Sequence, residues 1–267
     1  MTPVSGAPRR RYSDDMRGRR SKKRRRAQHA RPAYLVNADF ALRSADAVLA
    51  VDLSEVPLSR VNQFAVGWMR AAFEQSRVIA MLTKGEMGHA TAPNRRAFWE
   101  LAVRLLWFAG IARSEREKAA DAMLAHGRST EKTTHTHMQS MGITSDIDIA
   151  AMEEFVLDAS NEKAMREQVK NLTEAVMATE QNLGVIYRLW REDSTWAHAT
   201  AFLAGRYAPA EGDVTMGVGK PPHIDRDLEA HRLATMAIVF SAGCILADEG
   251  VPSGLASAAT LAFYNEH

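Results

Sequence analysis

The chain has 267 residues, 46% of them apolar, enough to build a substantial core in one large domain or two small ones. Its one cysteine, Cys244, excludes an intramolecular disulfide and suits a reducing compartment, so a cytoplasmic location is expected. The net charge of +2 conceals an asymmetry. Residues 1–33 hold twelve Lys or Arg against Asp14 and Asp15, a local charge of +10; the remainder holds 22 basic and 30 acidic residues, a charge of −8.

The first segment is therefore a basic arm on an acidic body. It has almost nothing to bury and cannot offset its own ordering entropy, so residues 1–33 are expected to be disordered, with Pro32 at their end. No apolar run follows the charges, which argues against a secretory signal. Arg9, Arg10, Arg11, Arg19, Arg20, Lys22, Lys23, Arg24, Arg25 and Arg26 are candidate nucleic-acid contacts, because each cation that neutralises a phosphate releases counterions. A solubilising or targeting arm, or one folded back on the acidic body, accounts for the same charges.

From residue 34 to residue 267 the pattern is helical, which predicts an all-α multi-helix bundle. Val61, Phe64, Ala65, Trp68, Met69, Ala72, Val78, Ile79 and Leu82 recur at three- and four-residue steps and predict a helix over 57–84, stopped by Gly85. Pro93 suits a first helical position, and Arg96 to Gly110 is apolar nearly all round, as a central helix would be. Ser114 with Glu117 has the spacing of a capping box and predicts a short helix to about residue 125, followed by a polar region. Residues 146–158 read as helical. Met165, Val169, Leu172, Val176, Leu183, Ile186 and Leu189 predict one long amphipathic helix over 161–192, with Ser194 capping a further helix to about Tyr207.

Residues 208–222, with three prolines and three glycines, read as a long loop without regular structure. Helices over about 224–249 and 253–264 close the chain. The longest apolar stretch, Leu233 to Ala247, has fifteen residues where about twenty are needed to cross a bilayer, so it reads as a buried core helix and no membrane partner is expected.

Chemical motifs are sparse. His135 and His137, with His126 and His89 near them in sequence, have no thiolate and no Glu-x-x-His to complete a metal site, so neither metal nor cofactor is expected. Gly217-Val-Gly-Lys220 lacks phosphate-loop spacing, and no Gly-x-Ser-x-Gly elbow is present. RLWREDSTWAH (188–198) is the richest stretch. Arg191-x6-His198 resembles the Arg, four to six residues, His pattern of the higher-eukaryote and prokaryote nucleotide-binding (HEPN) helical ribonucleases. In those, an imidazole moves a proton at the RNA ribose while a guanidinium holds the phosphate, without metal. Nine histidines and 26 arginines generate about 2.6 such spacings by chance, and four occur, at Arg24/His29, Arg128/His135, Arg191/His198 and Arg226/His231. The alternative role for 188–198 is structural, one helix ending and another beginning at Asp193 and Ser194.

Asn94-Arg95-Arg96-Ala-Phe-Trp-Glu100 with Arg104 and Trp107, followed by Tyr187-Arg188, Ser194 and His198, resembles an uncharacterised all-helical bacterial family, the domain-of-unknown-function 5677 group, over roughly residues 60–207. That resemblance implies a helical bundle with Arg96, Glu100, Arg188 and His198 facing one another, as a structural ion pair or as a polar pocket for an anion, and carries no established activity. Two functions stay open. One is a nucleic-acid or protein interaction module anchored by the basic arm, expected to self-associate as a homodimer. The other is a HEPN-like, metal-independent ribonuclease with His198 as acid/base and Arg191 or Arg188 as phosphate clamp.

Overall fold

In a computed structural model, residues 31–154, 157–159, 162–180, 182–212, 215–219 and 228–266 are described. Twelve α-helices run through them: α1 (Ala33–Leu49), α2 (Arg60–Lys84), α3 (Ala92–Gly110), α4 (Arg113–Ser140), α5 (Ile149–Glu154), α6 (Lys163–Lys170), α7 (Leu172–Ala178), α8 (Gly184–Ala197), α9 (Ala201–Tyr207), α10 (Glu229–Asp248), α11 (Ser253–Ala256) and α12 (Ala258–Asn265). The fold class is the all-α bundle that the periodicity predicts. The expectation for residues 1–30 of the arm lies outside the described residues.

The helix boundaries follow local chemistry. Ser59 caps α2, its hydroxyl accepting from the Asn62 N–H at 3.1 Å. Pro93 sits in the first turn of α3, where its missing N–H costs nothing. Gly142 and Gly250 follow α4 and α10 with φ of 70° and 83°, a left-handed turn that glycine adopts without steric cost.

Several elements differ from the sequence expectation. Helix α1 is not singled out by the periodicity, although Phe40, Ala41, Ala45 and Val48 form its buried stripe. Helix α4 has no side-chain cap from Ser114 and runs past Gly127 to Ser140. There the hydroxyls of Thr130, Thr133, Thr134 and Thr136 donate to carbonyls four residues back, so the polar side chains are satisfied within the helix. The predicted single helix over 161–192 is three, with extended backbone at Asn171 and Thr179. Ser194 lies inside α8, its hydroxyl donating to the Trp190 carbonyl at 2.7 Å. The break falls later, where Thr200 caps α9 by accepting from the Leu203 N–H. Within the predicted loop, Ala210–Glu211 (β1) and Thr215–Met216 (β2) pair antiparallel.

Helices α2, α3 and α10 form the centre. Helix α2 packs on α1, α3, α4 and α10, and α3 in turn carries α7 and α8. One apolar cluster reaches from Ala38 to Phe263 and includes Met69, Phe73, Ile79, Phe98, Trp99, Leu105, Phe108, Ile238 and Ile245. Phe263 of α12 sits edge-on to Phe40 and Phe73, locking the C-terminus against α1 and α2.

Three arginines tie the layers, Arg104 and Arg116 buried and Arg60 half-buried. Arg104 of α3 donates to the carbonyls of Gln168 (2.6 Å) and Val169 (2.8 Å), which the end of α6 leaves without intrahelical partners. Burial pulls its guanidinium pKa below the ordinary value, with Glu100 opposing. Arg60 pairs with Asp121, whose other oxygen accepts from the Asp158 N–H at 2.7 Å. Arg116 donates to the carbonyls of Ala109 and Ile111 and pairs with Asp248 at 2.9 Å, joining the α3–α4 turn to the end of α10. Arg116→Ala leaves those carbonyls without a donor and is expected to cost about 2–3 kcal/mol, read as a lower urea midpoint with unchanged slope.

Candidate nucleic-acid interface

The inward face of α8 is set by Ile186, Leu189, Trp190 and Asp193, spaced three and four apart. Asp193, 3% exposed, is the charged member of that stripe. Its Oδ2 accepts from Arg95 Nε at 3.0 Å and from Trp99 Nε1 at 2.8 Å, fastening α8 to α3 through one oxygen. Burial pushes the Asp193 carboxyl above its usual range, while Arg95 and the Trp99 N–H oppose the shift.

Beside this pair His231, in the first turn of α10, stacks on Phe98 with ring centroids 4.1 Å apart and hydrogen-bonds Ser76 through Nε2 at 2.8 Å. Among the described residues its Nδ1 has no partner. A cavity of about 10 Å³, lined by Arg95, Trp99, Leu189, Leu228, Ala230 and His231, adjoins it and matches the space of a single water. Burial, reinforced by the Arg95 charge, holds the His231 pKa down at about 3, so the ring is neutral at ordinary pH.

The RLWREDSTWAH residues distribute differently from the expectation. Glu100 meets Arg96, 3.7 Å away on its own helix, and accepts from Trp190 Nε1 at 3.3 Å; Arg96 Nε also donates to the Ser194 hydroxyl at 3.2 Å. Arg188 does not pair with Glu100. It is exposed and pairs with Glu192 at 3.4 Å, because at 3.6 residues per turn it stands about 140° round α8 from Asp193, on the outward side. Arg191 and His198 are exposed as well, and no hydrogen bond joins them. His198 follows the last residue of α8 in extended backbone. The inward carboxylate that the sequence reading assigned to a helix end is Asp193, and its partner is Arg95, one residue before the predicted Arg96.

The aromatic side chains of α8 and α9 have their own organisation. Tyr187 stacks on Trp190 at 5.7 Å, with the Arg96 and Arg191 guanidinium carbons 5.8 and 5.9 Å from the Trp190 ring centre. Trp196 and Phe202 meet at 5.0 Å, and Arg206 lies over both. Phe202 and Tyr207 are each 50% exposed. These are two clusters of aromatic rings and guanidinium groups, one on the first turns of α8 and one where α8 meets α9.

Of the remaining candidates, Arg9, Arg10, Arg11, Arg19, Arg20, Lys22, Lys23, Arg24, Arg25 and Arg26 lie outside the described residues, as does Arg226. Among the described residues no group of three or more His, Cys, Asp or Glu side chains is placed to hold a metal ion. A hollow of about 660 Å³ where α2 and α4 begin is lined by Arg60, Arg113, Glu117 and Glu249, cations and anions together, so it selects neither sign. Compared with protein families, curated proteins and solved structures, the chain matches none.

Two outcomes follow from the buried cluster. Asp193→Leu leaves Arg95 a buried charge without its carboxylate and is expected to cost about 3–5 kcal/mol in denaturant unfolding. His231 resists protonation in the folded state down to about 3 while the unfolded chain takes the proton near 6.5, so stability present above pH 6.5 is lost as pH falls from there toward 3. His231→Leu is expected to be less stable at pH 7 and to show a flatter stability profile between pH 7 and 5 than the native chain.

Proposed function

We propose that the protein is a nucleic-acid interaction module in which the basic arm supplies sequence-independent attraction and the α8–α9 surface holds an unpaired strand. The observation that carries this reading is the pairing of half-buried Tyr187, Trp190 and Trp196 and exposed Phe202 with the guanidinium groups of Arg96, Arg191 and Arg206. Every base offers a flat π-face, so aromatic rings flanked by guanidinium groups suit single strands, and base stacking contributes roughly 1–3 kcal/mol per base. The guanidinium groups also offer two donors to a phosphate.

The arm and the surface make separable contributions. In anisotropy titrations with a labelled single-stranded RNA, deletion of residues 1–33 is expected to flatten the dependence of log affinity on log salt, since each phosphate contact contributes about −0.7 to that slope on single strands. Trp196→Ala with Phe202→Ala is expected to weaken binding by about 1–3 kcal/mol with the salt slope retained. Binding that is indifferent to salt and to both changes refutes the proposal.

Exposure of both His198 and Arg191 favours a second reading, metal-independent RNA cleavage with His198 as acid/base and Arg191 or Arg188 as clamp. Cleavage by the native chain in a chelating buffer, abolished in His198→Ala with binding intact, selects this reading; strand retention without cleavage selects the binding module.

A further inference from the structure

Helix α10 is apolar on two faces, and the bundle uses one. Its inward face, with Ala234, Ile238, Val239, Ala242, Ile245 and Leu246, is buried. Its outward face is not: Leu233 is 64% exposed, Phe240 61% and Met236 38%, with Cys244 and Ala247 continuing the same stripe in the exposed class. At 3.6 residues per turn these five positions fall within about 80° of arc, a continuous seam along the outside of the helix. A groove of about 490 Å³ lined by Asn37, Arg232, Leu233, Met236 and Tyr264 runs beside its N-terminal half.

The seam has an internal asymmetry. Its N-terminal half carries the long side chains Leu233 and Met236, and its C-terminal half carries the small Cys244 and Ala247. Charge follows the same division, with exposed Arg232 at one end and Asp248, its side chain 52% exposed, at the other. We propose that this seam is the interface of a two-fold homodimer, α10 packing antiparallel against α10 of a second copy with Phe240 on the axis.

Three features favour that occupant. An antiparallel register centred on residue 240 sets Leu233 against Ala247 of the second copy and Met236 against Cys244, long against small on either side of the central Phe240 pair, as close packing of helices requires. The same register brings the exposed Arg232 level with Asp248 of the second copy, the half-exposed acid that Arg116 holds, twice per dimer by symmetry, whereas a parallel pair would bring like charges and long side chains level. Glu229 falls beyond the last helical residue of the opposing helix, outside the seam. The basic arm does not fit the seam, because among residues 1–30 the large apolar side chains are Met1, Val4, Tyr12 and Met16, scattered among the charges. This dimer does not depend on the nucleic-acid reading.

Sedimentation equilibrium of the full chain across a dilution series tests it. The native protein is expected to approach twice its 29.5 kDa mass, and Phe240→Asp to remain at 29.5 kDa with unchanged helicity, since residue 240 lies on the surface. Mild oxidation is expected to cross-link the Phe240→Cys, Cys244→Ser chain into a covalent dimer. The native chain is expected not to cross-link, because its two Cys244 sulfurs are offset by eight residues, about 12 Å along the helices. A monomer at every concentration, a Phe240→Asp chain as dimeric as the native one, or cross-linking through native Cys244 alone overturns the proposal. So does flotation of the native chain with phosphatidylcholine vesicles that is lost in Phe240→Asp, which assigns the seam to a lipid surface.

Discussion

The interaction on which the arrangement of the α8 side depends is the Asp193 carboxylate, one oxygen of which receives both Arg95 Nε and Trp99 Nε1. A carboxylate at 3% exposure is tolerated only with such partners, because a buried charge left alone costs several kcal/mol. Both donors stand on α3, four residues apart on one face, so the bond fixes the rotation of α8 as well as its position. Once Asp193 points inward, Ile186, Leu189 and Trp190 enter the core, while Arg188, Arg191 and Thr195 must face outward. The structural stitch and the exposed guanidinium row are two sides of one helix, set by the same contact.

The polar network extends inward from that contact. Arg95 and Trp99 line the small cavity that also touches His231, and His231 reaches Ser76 on α2. The Ser76–His231 bond joins α2 to α10, and the cavity sets that pair beside Arg95 and Trp99 of α3 in an otherwise apolar centre. A neutral imidazole suits this place: it keeps one hydrogen bond and its stack on Phe98 without bringing a second positive charge beside Arg95. Such a network favours one packing register of the helices, since sliding any of them would strand polar atoms in the core.

How far the sequence could be read follows from the kind of signal each residue carries. The core helices α2, α3 and α10 were legible because their apolar periodicity is long, with Gly85 marking the end of α2 and Pro93 the start of α3. The segmentation of 161–192 was not, because the apolar spacing survives the breaks at Asn171 and Thr179 and no proline or glycine marks them until Gly184. Arg96 and Glu100 do come together, yet as an i,i+4 surface pair on one helix. Asp193 was misassigned because Asp-Ser beside each other looks like a helix boundary. The signal that identifies it is its place on the Ile186, Leu189, Trp190 stripe, where a charge interrupts an apolar face and therefore needs a buried cation. The aromatic clusters were overlooked because Trp and Phe in a helical pattern read first as core, whereas Phe202 of α9 is half exposed beside a half-buried Trp196.

The charge division between arm and body sets a competition that any nucleic-acid role must win. An arm of +10 beside a body of −8 has an intramolecular partner at high effective concentration, and a polyanion must displace it. Two features tilt that balance toward the ligand. Many of the body's acids are already engaged: Asp121 with Arg60, Asp193 with Arg95, Glu192 with Arg188, Asp248 and Glu249 with Arg116. Pairing through α10 would place two arms and two aromatic surfaces on one assembly, so capture of a strand by one surface makes the second encounter intramolecular. Avidity of that kind raises affinity without any new contact, and it would let a weak, sequence-tolerant surface retain a strand that a single copy releases.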